Sequence, residues 1–257
     1  MQITQLSCAN FKSYEAVQLA FSTPVVAFTG PNGSGKTNLL DAIYYLCIGK
    51  SYFNPIDQQN FRHGTDYFRL VGHFTAASDT YKVVCTNGGG KRKQLQVNGV
   101  AEAKLSDHLG RFPVVMIAPD DVMLINGGSE ERRKFLDFLL SFTDRDYLQT
   151  LQDYNKLLQQ RNRLLKQMAD QQRWDKHLLS SYDDQLAPLG TQLFLWRNAF
   201  LESFVPLFMT QYHKLAQHKE EVDLAYDSPL AQTDFHTLLE RQQGKDRGLQ
   251  RTTKGIH

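Results

Sequence analysis

Eight consecutive residues carry the clearest chemistry in this chain: Gly30-Pro31-Asn32-Gly33-Ser34-Gly35-Lys36-Thr37. They match G-x-x-x-x-G-K-[ST] at every fixed position. The glycines let the backbone curl so that successive N–H groups point inward and hold phosphate oxygens. Gly35-Lys36-Thr37 opens an amphipathic stretch, NLLDAIYYL, whose positive N-terminal end adds to phosphate binding. Lys36 is placed to reach the β- and γ-phosphates of a nucleotide. The Thr37 hydroxyl is placed to take one position on octahedral Mg²⁺. The motif implies nucleotide binding and no particular reaction.

A second donor-rich turn, Asn126-Gly127-Gly128-Ser129, directly precedes another amphipathic stretch. Ser129 reads as its N-cap, with Glu131 and Arg132 in the first turn, which makes a second phosphate site or an ordinary helix cap. Asp120 and Asp121 follow the run VVMIA, at a strand's C-terminal edge or as a plain helix cap. Lys12 is a basic residue in a turn upstream of the glycine-rich loop, a setting in which a solvated lysine is the usual outcome. Basic clusters suited to DNA phosphates are Lys91, Arg92 and Lys93 at a hairpin tip, and Lys156, Arg161, Arg163 and Lys166 on a helical stretch. Further basic residues are Arg173, Lys245, Arg247, Arg251 and Lys254, and a solvated polar face is the alternative for all of them. Eight histidines show no metal-ligand spacing.

These residues need elements to hold them. Before residue 128 the pattern is short apolar runs between turns. Residues 3–8, 17–21, 24–28, 68–75, 81–86 and 93–97 read as strands, as does VVMIA (114–118), enclosed by Pro113 and Pro119. After it the spacing is helical. Tyr147, Leu151, Tyr154, Leu158, Arg161, Leu165 and Met168 form one seam, and Leu179, Tyr182, Leu186, Leu189, Leu193, Trp196 and Phe200 form another. The polar link 169–177 between them predicts an antiparallel helical hairpin, either protruding or packed as core, with Pro188 kinking the second arm. The expected organisation is a nucleotide-binding lobe over 1–128, a helical lobe over 129–220 and a return segment over 221–257.

Composition sets the outer bounds. The 257 residues are 41% hydrophobic and 22% charged, which excludes disordered and collagen-like chains. A net charge of +2 means that an acidic partner must be met by a local patch. No apolar run approaches the roughly 18–20 residues that span a bilayer, and the N-terminus lacks a signal-peptide pattern, so no membrane role is expected. Three cysteines without C-x-x-C spacing fit a reducing cytoplasm.

Taken together, NFKSY (10–14), GPNGSGKTNLLDAIYYL (30–46), APDDVMLINGGSEERRKFLDFLL (118–140) and the helical hairpin resemble the ABC-type ATPase heads of the SMC-like group. They are most similar to the RecF family of bacterial DNA replication and repair proteins. The resemblance covers essentially the whole chain, and the paired arginines followed by FLD point specifically to that family. It implies an α/β fold, a P-loop ABC-type head with a mixed sheet plus a helical lobe bearing the hairpin. It implies that ATP with Mg²⁺ is sandwiched in a homodimer. Asn126, Gly127, Gly128 and Ser129 would then act in trans as the signature that meets the partner's γ-phosphate, and Lys12 and Asn32 would lie near the phosphates. It further implies binding to gapped, single-stranded or double-stranded DNA, cooperation with RecO and RecR, functional coupling to RecA loading, and SOS induction.

One departure stands out. No apolar run ending in paired acids, the Walker B element, follows the signature region; residues 222–227 are too polar for one. Lys254-Gly255-Ile256-His257 looks like the start of the family's G-P-H-R-D-D-type segment, which suggests a C-terminally shortened chain without its hydrolytic acids. A small-molecule kinase or another P-loop ATPase is the competing reading.

Overall fold

The computed structural model describes residues 1–217 and 219–256. It divides into two compact units, Met1–Pro119 and Asp120–His257. The expected boundary at residue 128 thus falls inside the second unit, and the return segment folds with the helices.

The first unit is a six-stranded sheet: β1 (Gln2–Phe11), β2 (Tyr14–Ala20), β3 (Tyr67–Ala76), β4 (Asp79–Gly88), β5 (Lys91–Val97) and β6 (Val100–Ala101), ordered β2-β1-β3-β4-β5-β6. Each pairing is antiparallel, with Cys8 opposite Val17 and Leu70, and Cys85 opposite Leu70 and Leu95. Alternation puts Leu6, Cys8, Phe68, Leu70, Val83, Cys85, Leu95 and Val97 into the core. Helix α1 (Lys36–Ile48) belongs to the same unit and buries Leu39, Ala42, Tyr45 and Leu46. A Cβ at Gly72 would meet Leu46 Cδ1 at 2.9 Å, so this glycine of β3 lets α1 approach the strand closely. The short α2 (Leu105–His108) sends buried His108 back to the Leu46 carbonyl at 2.8 Å.

Five of the seven expected strands fall on β1 to β5, with Phe21 just past the end of β2. The other two need correction. Residues 24–28 and 113–118 lie in no strand, and Val25, Val115 and Ile117 are 83%, 88% and 85% exposed. Apolar β-branched runs become strands only when a neighbour completes the hydrogen-bond ladder. Among the described residues none pairs with these two segments.

The second unit is helical: α3 (Met123–Asn126), α4 (Ser129–Thr143), α5 (Arg145–Asp170), α6 (Lys176–Ala216) and α7 (Phe235–Leu249). The starts of the last three are set by local chemistry. Asp144 accepts from the Asp146 and Tyr147 N–H groups, Asp175 from Leu178, and Asp234 from Thr237, each carboxylate satisfying donors that the first turn leaves free. Helices α5 and α6 form the expected hairpin, and both seams face inward, with Tyr147, Tyr154, Leu165, Leu179, Leu186 and Leu193 buried. The hairpin is packed core because α7 lies against both arms, Phe235, Leu238 and Leu239 joining Tyr147, Tyr154, Leu186 and Leu193 in one cluster, while Leu165, Met168 and Leu179 form a second. Phe235 sits over Gly190, where a Cβ would come within 2.1 Å of its ring. Helix α6 continues through Pro188 and Pro206.

Candidate nucleotide site and basic surfaces

The loop 30–37 takes the conformation its glycines permit. Gly30, Gly33 and Gly35 have φ of 148°, 80° and 92°, a region that side chains resist. Gly35 is the N-cap of α1, no acid occupies the first turn, and the positive helix end is left without a counter-charge from its own turn. The Lys36 ammonium donates to the Gly30 and Pro31 carbonyls at 2.8 and 2.7 Å, which places a cation within the curl of the loop. Pro31, Asn32, Gly33, Ser34 and Thr37 all reach solvent or its edge.

The β1–β2 turn buttresses this loop. Asn38 Nδ2 donates to Ser13 Oγ at 2.8 Å, and the Tyr14 hydroxyl donates to the Ser34 carbonyl at 3.5 Å. A Cβ on Gly35 would strike Ser13 Oγ at 2.6 Å, so the closeness of turn and loop depends on that glycine. NFKSY and the glycine-rich loop are therefore parts of one structure.

Lys12 is engaged within the fold. Its side chain is 9% exposed and its ammonium pairs with Asp41 Oδ2 at 2.5 Å. Asp41 lies wholly inside the core on α1 and also accepts from the Ser51 hydroxyl at 2.6 Å and the Tyr52 N–H at 2.7 Å. The Phe11 and Phe53 rings flank the ammonium at 5.7 and 5.4 Å. Asp41 escaped the sequence reading, although an acid inside the apolar run LLDAIYYL was a visible signal, because a buried acid demands a partner.

No group of three or more His, Cys, Asp or Glu residues able to hold a metal occurs among the described residues. Thr37 offers one oxygen to a cation, which suits an ion shared with nucleotide phosphates and water rather than a dedicated protein cage.

At the second turn the helix starts one residue earlier than expected. Gly128, not Ser129, is the N-cap of α4, and no side chain caps it. Ser129 Oγ accepts from Arg133 Nη1 at 2.8 Å, and Arg132 donates to the Leu124 and Gly127 carbonyls at 3.1 and 3.2 Å. Glu130 and Glu131 occupy the first turn and are bridged by Lys134. Asn126, Gly128 and Ser129 are exposed.

Two of the basic candidates are corrected. Arg161 is fully buried; it pairs with Asp183 at 2.6 Å and Asp246 at 2.8 Å and donates to Thr252. It sat on the inner seam of its helix, where a charge has to be compensated internally. Lys93 pairs with Asp57 at 2.8 Å and donates to the Gly49 carbonyl at 3.0 Å, so its charge is spent inside its own unit. Lys91, Arg92, Arg163 and Lys166 are exposed. A buried basic residue that went unremarked is Arg197, which binds Asp137, the Tyr147 and Tyr226 hydroxyls and the Ile256 carbonyl.

A P-loop at the head of a helix, buttressed by a strand turn and followed in the chain by a helical lobe, defines a P-loop ATPase domain. The AAA domain family matches residues 5–247. The chain is 42% identical over its full length to the DNA replication and repair protein RecF of Flavobacterium johnsoniae, covering 72% of that protein. It is 40% identical to RecF of Cytophaga hutchinsonii, covering 68%, and 39% identical to that of Bacteroides fragilis strain ATCC 25285, covering 69%. Solved structures of the recombination mediator protein RecF, as RecF-ATP and RecF-ATPrS in the RecFOR pathway, superpose with TM-scores of 0.88 and 0.91 at 26% identity. They match 99% and 100% of this chain, which spans 70% and 71% of theirs. The chain belongs to the RecF family of DNA replication and repair proteins.

Proposed function

We propose that this chain binds ATP with Mg²⁺ in the loop 30–37 and uses the bound nucleotide to control its hold on DNA during replication and recombinational repair. The observation that carries the reading is the uncompensated start of α1, with Lys36 held in the curl of the loop and no acid in the first turn. The similarity to RecF solved as RecF-ATP supports it. Loop N–H groups and Lys36 would bind and orient the phosphates, and Thr37 would give its hydroxyl to Mg²⁺. Bound Mg²⁺ would offset charge on the phosphate oxygens. Family membership supports action on DNA alongside RecO and RecR and upstream of RecA, and an ATP-dependent homodimer follows from the same reading. A cytoplasmic setting accords with three buried free cysteines, all of whose thiols burial pushes up to about 12. No helix among the described residues is long and apolar enough to cross a membrane.

Calorimetry with Mg-ATP tests the nucleotide part. Lys36→Ala should abolish measurable binding while circular dichroism stays unchanged; near-native affinity would remove Lys36 from the site.

A further inference from the structure

Three basic segments that are distant in sequence meet at one end of the helical unit. Arg161 on α5 bonds Asp246 of α7, and Asn162 Oδ1 accepts from the Thr252 N–H at 2.7 Å, so the end of α7 and the residues after it lie against the second half of α5. Arg247 covers the Trp174 ring at 5.2 Å, which brings the link between α5 and α6 to the same place. Trp174 in turn packs on Leu165, Met168 and Leu179.

What these contacts leave facing solvent is cationic. Lys156, Arg163 and Lys166 on α5, Arg173 in the link, and Lys245 and Arg251 at the end of α7 are all exposed. Lys156, Gln159, Arg163 and Lys166 step by three, four and three, so they form one stripe on the face of α5 away from its buried seam. Acids are sparse there. Between residues 156 and 177 they are Asp170 and Asp175, and Asp175 is engaged as the cap of α6; between 241 and 251 the one acid, Asp246, is buried against Arg161.

We propose that this surface, the outer stripe of α5 with the hairpin link and the end of α7, holds the phosphate backbone of duplex DNA. The proposal deepens the functional reading above and rests on its DNA-binding part. From Lys156 to Lys166 the stripe runs about 15 Å at roughly 1.5 Å per residue. A duplex presents about nine phosphate charges over that length, at roughly one per 1.7 Å. Duplex fits better than single strand because the surface offers no free aromatic platform: Trp174 is half-buried beneath Arg247. The β4–β5 hairpin is the weaker rival. Lys93 is already paired there, and Lys91 and Arg92 share a cleft of about 540 Å³ with Asp57 and Asp66.

Binding of the 257-residue chain to a fluorescent duplex, followed by anisotropy across a salt series, tests the assignment. The pairs Arg163→Gln with Lys166→Gln and Lys245→Gln with Arg251→Gln should each weaken binding about tenfold at ~0.1 M salt and lower the salt slope by about 2. Lys91→Gln with Arg92→Gln should change affinity by less than about twofold. ATP binding should stay intact in all three variants, which also certifies their folding. Duplex binding by the unaltered chain that is indifferent to the α5 and α7 pairs, or lost with the hairpin pair, overturns the surface and leaves the functional reading standing. Preference for single-stranded over duplex DNA of equal length overturns the duplex assignment. Absence of any DNA binding at low salt overturns both this surface and the DNA part of the proposed function.

Discussion

Lys12 and Asp41 form a buried ion pair of 2.5 Å that ties the β1–β2 turn to the helix carrying the P-loop. Asp41 is also met by the Ser51 hydroxyl and the Tyr52 N–H, so the pair closes three segments around one carboxylate. A buried charge that loses its partner costs about 3–5 kcal/mol, whereas replacing both partners is far milder. Lys12→Met and Asp41→Asn should each destabilise by a few kcal/mol, on the order of the single-partner loss, and the double variant should recover much of it. Urea unfolding of the four proteins gives the cycle; simple additivity would mean that the two residues do not act as a pair.

Gly35→Ala should weaken nucleotide binding through geometry, not charge. The residue sits at φ 92°, and a methyl there would press on Ser13 Oγ at 2.6 Å and on the Tyr14 ring at 3.0 Å. The turn must retreat or the loop must open. We expect at least a tenfold loss of Mg-ATP affinity, about 1.4 kcal/mol, with Lys36 unchanged. Equal affinity in calorimetry would show that the loop tolerates the shift.

Gly190→Ala tests the contact that turns the helical hairpin into a core. Alanine is favoured over glycine within a helix by roughly 1 kcal/mol. Here the added methyl would come within 2.1 Å of the Phe235 ring, and overpacking of this kind costs about 1–3 kcal/mol. We expect net destabilisation, with proteolysis of α7 as the sensitive readout. A stabilised variant would mean that Phe235 moves freely.

His108 should make stability depend on pH. Burial holds its imidazole below the usual value; its hydrogen bond to the Leu46 carbonyl and nearby Glu102 pull the other way. The unfolded chain protonates this ring near pH ~6.5 while the folded core resists. The stabilising contribution is therefore complete above that pH and is lost as pH falls below it. Melting temperatures between pH 7.5 and 5.5 should fall more steeply for the native chain than for His108→Gln. Parallel slopes would exclude His108 as the source.

By itself the sequence was enough for the local features. The curl of the loop 30–37 follows from its own glycines and the helix after it, so spacing and composition specify the curl, though not its contact with the β1–β2 turn. The inward seams of α5 and α6 follow from the helical period, and the hairpin strands from alternation between turn residues. All of these are interactions between residues close in the chain.

Tertiary structure decided what depends on partners far away in sequence. The helical period places Arg161 on the inner seam, but its partners Asp183 and Asp246, 22 and 85 positions on, are set by the fold. Lys93 likewise reads as a hairpin-tip cation until Asp57 claims it. Residues 24–28 and 113–118 have the composition of buried strands, yet a strand exists only where another supplies its hydrogen bonds, and neither finds one among the described residues. Charge and β-propensity are properties of a residue. Whether a charge is free, or a run is paired, is a property of its neighbours in space, and that is why only the folded chain could separate the exposed basic residues from those consumed in holding the fold together.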